Sequence, residues 1–304
     1  MSIPPLPPNT TLQGRSFLIT GANVGLGFAA ARLALQLGAS PVYITTRTAK
    51  KGDKARDELL ADPEVKKKNP NAIVKVYEVE MSKWDSVTSF AKKFLDDRKT
   101  AGEGLDIAIL NAGLVNGRFV LAPTGNEMDV QVNHLSTAPL ALLLLPLLER
   151  STTPEHTARL TIISSMAHLR ARLTPQDDIG YLPSLNDKKS FSPVLQYSLS
   201  KLLIILFLRE LCEKVTSDKV IIWSRQSGLA ICTARSSPEK GAITYIDAVA
   251  NIGKESHGLW YQKTRLTPYS KVVTGPEGKK LQKRSWDETL KQLEQVSPGV
   301  DPDL

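Results

Sequence analysis

Two residues with complementary acid–base chemistry, Tyr197 and Lys201, stand four positions apart in Tyr197-Ser-Leu-Ser-Lys201, just before the strongly apolar run Leu202–Leu208. On a helix this spacing places the phenol and the ammonium on one face. A free tyrosine has a pKa near ~10 and is a poor acid–base catalyst at neutral pH, whereas a nearby ammonium stabilises its phenolate form. Pairs with this spacing also arise by chance on exposed helices, so the pair needs a second motif beside it.

A glycine-rich segment, Thr20-Gly-Ala-Asn-Val-Gly-Leu-Gly27, is that second motif, because it lies between a short apolar run and a helical pattern. In this context the backbone approaches a dinucleotide phosphate and the helix N-terminus offers it unpaired N–H groups. We expect Gly21 to permit a sharp turn, Gly25 to admit the pyrophosphate and Gly27 to let helix and strand pack closely. A structural turn is the alternative, and the strand–turn–helix context favours phosphate binding.

The elements that must position these residues follow from the alternation of β-branched apolar runs with helical patterns. This alternation predicts one doubly wound, Rossmann-type α/β domain over residues 1–304, with a mostly parallel seven-stranded sheet and helices on both faces. The predicted strands found in the sequence are Ser16–Thr20, Val42–Thr46, Ile73–Glu80, Asp106–Leu110, Leu160–Ser164 and Val220–Ser224. The predicted helices are Gly25–Leu37, Asp85–Asp97, Ala242–Ile252 and Pro276–Gln295, the last within a C-terminal helix and tail over 276–304. Residues 1–11 form a proline-rich lead-in, and Ala167–Val194 is predicted to be a long loop.

Composition excludes several classes of protein. The chain has 304 residues, 41% hydrophobic and 23% charged, which is typical of a globular enzyme and excludes a fibrous or wholly disordered chain. Its net charge of +8 attracts polyanions without specifying them. Four cations near the C-terminus, Lys279, Lys280, Lys283 and Arg284, favour a solvated helix face over a nucleic-acid site, because no aromatic stacking platform lies between them.

Cysteines, histidines and apolar runs give further expectations. Cys212 and Cys232 cannot make a disulfide framework, so nothing indicates secretion. His134 and His168 are not spaced for metal binding, and we expect both to be structural and no metal to be bound. The most apolar stretch, Ala138–Leu148, is shorter than the roughly 20 residues of a membrane span, so we expect a cytoplasmic protein without one.

The spacing G-x-x-x-G-x-G, followed by Y-x-x-x-K, resembles the short-chain dehydrogenase/reductase family over most of the chain, about residues 12–293. Asn111-Ala-Gly113 is similar to the family's N-N-A-G stretch, with Leu110 in place of the first Asn. The resemblance implies a nicotinamide cofactor held by Gly21, Asn23, Gly25, Leu26, Gly27, Arg47, Glu80, Asn111, Ala112 and Gly113, together with Tyr197 and Lys201.

The same resemblance implies the catalytic roles. Ser165, in Ser164-Ser-Met-Ala167, matches the catalytic serine that holds the substrate oxygen, and Tyr197 is the proton donor. Lys201 supports the phenol and binds the nicotinamide ribose, while Asn133 matches the Asn that holds a water linked to the lysine. The alternative for Asn133 is a hydrogen bond to helix backbone.

Charge at the end of the second predicted strand favours NADP(H) over NAD(H). NAD-preferring sites place a carboxylate there, which binds the ribose hydroxyls and repels a 2′-phosphate. Here the residues are Thr45-Thr46-Arg47, and Arg47, assisted by Lys50 or Lys51, is positioned to pair with the phosphate. The alternative is a solvent-exposed arginine at a helix cap.

On the substrate side, the long interval between Ser165 and Tyr197 and the runs Glu255-Ser-His-Gly258 and 276–281 are similar to the retinol-dehydrogenase-like branch and to fungal secondary-metabolism members. This implies a lipophilic carbonyl or alcohol as substrate. Two departures, Ser227-Gly228 for the family's P-G and a shortened substrate-lobe segment at 229–241, keep open a catalytically weak, cofactor-binding protein with a regulatory role. The apolar run Leu202–Leu208 suits a helix-paired homodimer.

Overall fold

The apolar runs of the sequence become strands of one sheet in the computed structural model, which describes residues 3–172, 180–226, 237–262 and 265–296. The strands are β1 Phe17–Ile19, β2 Val42–Thr46, β3 Val74–Glu78, β4 Ile107–Leu110, β5 Arg159–Ser164, β6 Ile221–Gln226, β7 Trp260–Gln262 and β8 Arg265–Thr267. Their order is β3-β2-β1-β4-β5-β6-β7-β8, and the pairs from β3 to β7 are parallel. All six predicted strands are therefore confirmed, with bounds that differ by at most two residues.

The sheet has eight strands, so the prediction of seven is wrong by one edge strand. β8 pairs antiparallel with β7 and places Thr267 opposite Trp260. Each of these two strands has three residues, which is too short to show a period-2 pattern in sequence.

The helices are α1 Gly25–Gln36, α2 Ala49–Ala61, α3 Pro63–Lys68, α4 Trp84–Ala101, α5 Met128–Val130, α6 Thr137–Ser151, α7 Tyr181–Ser184, α8 Pro193–Lys214, α9 Pro238–Asn251, α10 Lys271–Thr274 and α11 Pro276–Val296. A π-helical turn, Gln131–Leu135, joins α5 to α6. The four predicted helices are confirmed as α1, α4, α9 and α11.

Alternate residues of each inner strand face opposite layers of helices. Phe17 and Ile19 of β1 pack with α1 and α9, whereas Leu18 packs with α4, α6 and α8. All three side chains are fully buried, as expected for the interior of a parallel sheet covered on both faces. The strand order reverses between β1 and β4, and the carboxyl ends of strands at such a switch point form the ligand crevice of this fold class.

The prediction of one long loop over 167–194 is partly wrong. A 3₁₀ turn spans Met166–Arg170, α7 follows at Tyr181, and α8 begins at Pro193, one turn before Tyr197. These elements are short or polar and therefore gave no clear period. Residues 173–179 lie outside the described part, as do 227–236, which hold Ser227, Gly228, Cys232 and most of the 229–241 segment.

Two apolar helices lie inside the fold. The side chains of Leu202–Leu208 in α8 are each at most 1% exposed, so this run cannot form a dimer interface. A homodimer stays a prediction, but this run no longer supports it. Among the described residues, one helical stretch, Met128–Ser151, is long and apolar enough to cross a membrane, and 89% of its apolar window is buried as in a core helix.

Candidate active site

The glycine-rich turn connects β1 to α1 with two left-handed residues, Gly21 at φ +67° and Gly25 at φ +63°. A side chain on Gly27 would bring its Cβ to 2.5 Å from the Gly21 carbonyl oxygen and 2.8 Å from Asn111 Nδ2. No atom lies within 4 Å of the corresponding position on Gly25, so this part of the backbone faces open space. α1 begins at Gly25 without a side-chain cap, which leaves first-turn N–H groups available to an anion.

Asn111 locks this turn to β4. Its Nδ2 donates to the carbonyls of Thr20 at 2.9 Å and Gly21 at 3.3 Å, and its Oδ1 accepts from the Tyr245 hydroxyl at 3.1 Å. Thr20 Oγ1 accepts from the backbone N–H groups of Asn111 and Ala112, both at 2.9 Å. The Asn111 side chain is therefore engaged within the protein, and Tyr245 of α9 is a supporting residue that the sequence did not reveal.

A cleft of about 300 Å³, here called the cofactor cleft, lies over the carboxyl ends of β1, β2 and β4. Seven of the residues predicted to bind the cofactor line it: Gly21, Asn23, Arg47, Glu80, Asn111, Ala112 and Gly113. Leu26 does not, because its side chain packs directly against Gly241 of α9. Glu80 Oε1 accepts hydrogen bonds from the N–H and hydroxyl of Ser82, both at 3.0 Å.

Arg47 is exposed at the rim of the cofactor cleft, at the end of β2. It forms no ion pair with a described residue. The register of β3 places Glu78 beside Thr46, and the Glu78 carboxylate accepts from the Ala49 N–H at the start of α2 at 2.8 Å. A carboxylate thus lies close to the strand end after all, contributed by the neighbouring strand rather than by β2.

Tyr197 and Lys201 lie together at the other end of the crevice. The Lys201 Nζ is 5.9 Å from the centre of the Tyr197 ring and donates to the Ile163 carbonyl at 3.1 Å. The Tyr197 hydroxyl is buried and has no hydrogen-bond partner among the described residues. Burial lowers the pKa of Lys201 to about 8, while the Asp129 charge acts in the opposite direction. Burial therefore makes this ammonium easier to deprotonate than that of a free lysine.

Ser165 begins the 3₁₀ turn at the end of β5. Its Oγ accepts from the Ala167 N–H at 3.2 Å, and its carbonyl accepts from His168 Nδ1 at 2.7 Å. The His168 ring packs edge-to-face on Trp260, with centroids 4.6 Å apart. These contacts give His168 a positioning role for the serine.

Asn133 lies in the π-helical turn and clamps the loop after β4. Its Oδ1 accepts from Leu114 N at 2.9 Å, and its Nδ2 donates to the Leu114 carbonyl at 2.9 Å and to Ser200 Oγ at 3.0 Å. Ser200 Oγ in turn donates to the Tyr197 carbonyl at 2.8 Å. The described side-chain contacts of Asn133 thus position the helix that carries Tyr197 and Lys201, and a role in holding water stays a prediction.

Asp129 is a buried acid that the sequence analysis missed. Its Oδ1 accepts from Asn116 N at 2.9 Å, and its Oδ2 is buried with no partner among the described residues. Burial and the nearby Glu127 charge raise the pKa of Asp129 to about 7, whereas the Lys201 charge lowers it. Its position four residues before Asn133, on the same side of a helix, was the available signal.

A second cleft of about 470 Å³, here called the apolar cleft, is lined by both Ser165 and Tyr197. Most of its other lining residues are apolar: Val115, Met166, Ala167, Leu169, Pro193 and Val194. No group of three potential metal ligands occurs within the described ranges. The arrangement therefore combines an acid–base pair, a hydroxyl and an apolar surface beside a dinucleotide-type turn.

The chain belongs to the short-chain dehydrogenase/reductase family. The short chain dehydrogenase family profile matches residues 15–173. A short chain dehydrogenase of the fungus Arthrobotrys oligospora is 37% identical, covering 99% of both chains, and the short chain dehydrogenase/reductase mfmJ of Annulohypoxylon moriforme is 36% identical over 95% of this chain and 87% of that protein. These relatives confirm the resemblance to fungal members.

Solved structures share the fold. An uncharacterized protein from Mycobacterium paratuberculosis superposes with a TM-score of 0.72 at 25% identity, covering 97% of both chains. The NADPH-bound carbonyl reductase from chicken fatty liver gives a TM-score of 0.61 at 20% identity, covering 85% of this chain and 100% of that one. The Pseudomonas aeruginosa RhlG/NADP complex gives 0.63 at 21% identity, covering 84% and 96%.

Proposed function

We propose that this protein is an NADP(H)-dependent oxidoreductase that reduces a carbonyl of a lipophilic small molecule, or oxidises the matching alcohol, through Ser165, Tyr197 and Lys201. The observation that carries the proposal is the Tyr197 hydroxyl, which is buried without a partner among the described residues and belongs to a side chain lining the apolar cleft. Leaving a buried polar group unpaired is costly, so a native protein keeps one where a ligand or water completes it. A substrate oxygen held between Tyr197 and Ser165 would complete it here.

When bound, the nicotinamide supplies or accepts a hydride. In the reductive direction, the Tyr197 hydroxyl donates its proton to the substrate oxygen, and Ser165 Oγ donates a hydrogen bond that orients the same oxygen. The Lys201 ammonium favours the phenolate left on Tyr197. Asn133 and Ser200 hold the turn of α8 that carries the pair.

The residues of the cofactor cleft fit a dinucleotide. The open backbone at Gly25 and the uncapped start of α1 suit the pyrophosphate, whereas Glu80 lies where the adenine end is expected. Arg47 supplies a cation for a 2′-phosphate at the rim. Structures with the same fold include complexes with NADP, NADPH and NAD, so the choice of NADP(H) rests on Arg47.

The apolar cleft supports a lipophilic substrate. Its lining is mostly apolar, and pockets of this kind bind small apolar molecules through a few placed polar groups. The fungal relatives support a place in secondary metabolism, and the cytoplasmic location stays a prediction.

The test is the variant Tyr197→Phe, assayed with NADPH and a panel of lipophilic ketones, aldehydes and quinones by loss of NADPH absorbance. We expect kcat to fall by about 10²–10⁴-fold because the proton donor is lost. The Kd for NADPH should change by less than about fivefold, because the phenol acts on the substrate oxygen. Tyr77→Phe, which removes a hydroxyl bound to Asp97 at the β3 edge of the sheet and lines neither cleft, is the matched control and should keep its turnover.

Retention of more than about a tenth of the parent rate would contradict the role of Tyr197 as the acid. NADPH binding by the parent protein without turnover of any carbonyl compound would instead favour the catalytically weak, cofactor-binding alternative. That alternative was raised by Ser227-Gly228 and by the segment 229–241, most of which lies outside the described part of the chain.

A further inference from the structure

One charged side chain, Arg170, lines the mostly apolar cleft that also holds Ser165 and Tyr197. Exposed apolar surface is concentrated around it. Seven large apolar side chains of the described residues are exposed, and four of them line this cleft: Val194 at 61%, Val115 at 48%, Leu169 at 43% and Met166 at 37%. A cluster of exposed apolar side chains of this kind marks a binding surface.

The 3₁₀ turn Met166–Arg170 builds one wall of the cleft. In such a turn, side chains three positions apart lie one above the other. Met166 therefore aligns with Leu169, and Ala167 aligns with Arg170, and all four line the cleft. With a rise of about 2.0 Å per residue, the backbone of Arg170 lies about 10 Å along the turn from Ser165. A ligand that reaches both residues is extended.

The charge of Arg170 is not neutralised by the protein in the described part of the structure, where it has no ion-pair partner. The described residues that line the cleft include no acidic side chain. Arg170 is exposed at the cleft, and its guanidinium presents a planar pair of donors that matches a carboxylate. The cleft thus combines an apolar body, a carbonyl site and one site for an anionic group.

From this arrangement we propose that the substrate carries a carboxylate, which the Arg170 guanidinium binds while the carbonyl lies against Ser165 and Tyr197. The inference rests on the proposed oxidoreductase function and names the substrate class of the same site: an extended, lipophilic keto acid, or the corresponding hydroxy acid.

The experiment compares 9-oxodecanoic acid with its methyl ester, which has the same carbonyl and chain but no charge. Binding of each to the protein saturated with NADP is measured by calorimetry, and turnover is measured with NADPH. We expect the parent to bind the acid roughly tenfold more tightly than the ester, because a charge-assisted hydrogen bond contributes about this much to affinity. Arg170→Ala should bring the affinity for the acid to that for the ester, and Arg170→Lys should retain part of the preference.

Arg172→Ala is the matched control, because Arg172 is also exposed but does not line the described cleft, and it should keep the parent's preference. Equal binding of acid and ester by the parent, no binding of the acid, or an Arg172→Ala effect equal to that of Arg170→Ala would overturn the proposal. Turnover of the ester without any preference for the acid would contradict the carboxylate site and leave the oxidoreductase function standing. Arg170-dependent binding of the acid without NADPH consumption would contradict the oxidoreductase function instead.

Discussion

Individual residues of the site differ in how far the sequence reveals them. Gly21, Gly27, Tyr197 and Lys201 could be selected because their chemistry depends on spacing along one turn or helix. Glu78 could not be placed, because its position beside Thr46 depends on the pairing of β2 with β3. Arg170 was likewise hidden, since nothing in a local pattern shows that the turn after β5 lines an apolar cleft.

The charge at Arg47 gives a residue-scale prediction about cofactor preference. Arg47→Asp should weaken NADPH binding about ten- to a hundredfold, because a charge-assisted hydrogen bond is replaced by repulsion, and should affect NADH binding little. The parent's NADPH preference should also decrease with rising salt, since an exposed ion pair is screened. Dissociation constants for both cofactors, measured by fluorescence titration, check the prediction.

Lys92→Asp is its control, since it makes the same change of charge on an exposed residue of α4 that does not line the cofactor cleft. Equal losses for NADPH and NADH in Arg47→Asp would mean that Arg47 is structural. A parent protein that prefers NADH would contradict the NADP assignment, and the nearby Glu78 carboxylate would then be the residue to replace.

At the scale of elements, the long buried strands and amphipathic helices were predictable and the short edge elements were not. β1, β2, β4, β5 and β6 are buried on both faces of the sheet, which makes them visible as apolar runs, whereas the edge strand β3 is visible as an apolar run interrupted by Lys75 and Glu78. β7 and β8 have three residues each, and α7 and α10 have four, so their positions depend on tertiary contacts rather than on their own sequence. The glycine turn was predictable because the junction of β1 and α1 tolerates few residue types.

Gly27→Ala tests the packing of that junction. The added Cβ would lie 2.5 Å from the Gly21 carbonyl oxygen, so α1 must move away from the sheet. Overpacking of this kind typically costs about 1–3 kcal/mol, which should lower Tm by several degrees, and the displaced turn should weaken NADPH binding as well. Thermal unfolding and cofactor titration measure the two effects.

Gly117→Ala provides the comparison, because no atom lies within 4 Å of its Cβ position and its backbone is not left-handed. It should leave Tm within about 1 °C of the parent, as surface substitutions usually do. If Gly27→Ala behaves in the same way, the close approach of α1 to Gly21 and Asn111 does not constrain this position.

At the scale of the whole molecule, the composition and the alternation of elements were sufficient to predict the fold class. They did not predict which particular side chains are buried. The run Leu202–Leu208 looked like a free apolar face and proves to be core, because helices pack on it from several sides. The burial of His134 also depends on tertiary packing, because this residue lies where the π-helical turn meets α8 and α11. Its Nε2 is 2.9 Å from Thr289 Oγ1, and its ring packs edge-to-face against Phe207.

This buried histidine predicts how the stability of the fold depends on pH. Burial lowers the pKa of His134 to about 3, whereas the same group in the unfolded chain titrates near ~6.5. Between these pKa values the unfolded chain binds the proton and the folded chain does not. The contribution of the neutral His134 to the free energy of unfolding is therefore complete above about pH 6.5 and is lost as the pH falls toward 3. From pH 7 to 5 the loss amounts to about 2 kcal/mol. His156, whose pKa is lowered to about 4 mainly by burial, acts in the same direction.

The variant His134→Asn removes the titrating group, so its free energy of unfolding should decrease less than the parent's between pH 7 and 5, by about 2 kcal/mol. Thr289→Val separates titration from the loss of a hydrogen bond, because it removes the partner hydroxyl and keeps the imidazole. It should be less stable at both pH values but retain the parent's dependence on pH. Urea unfolding at the two pH values measures these differences. Parallel pH profiles for the parent and His134→Asn would show that folding does not lower the pKa of His134.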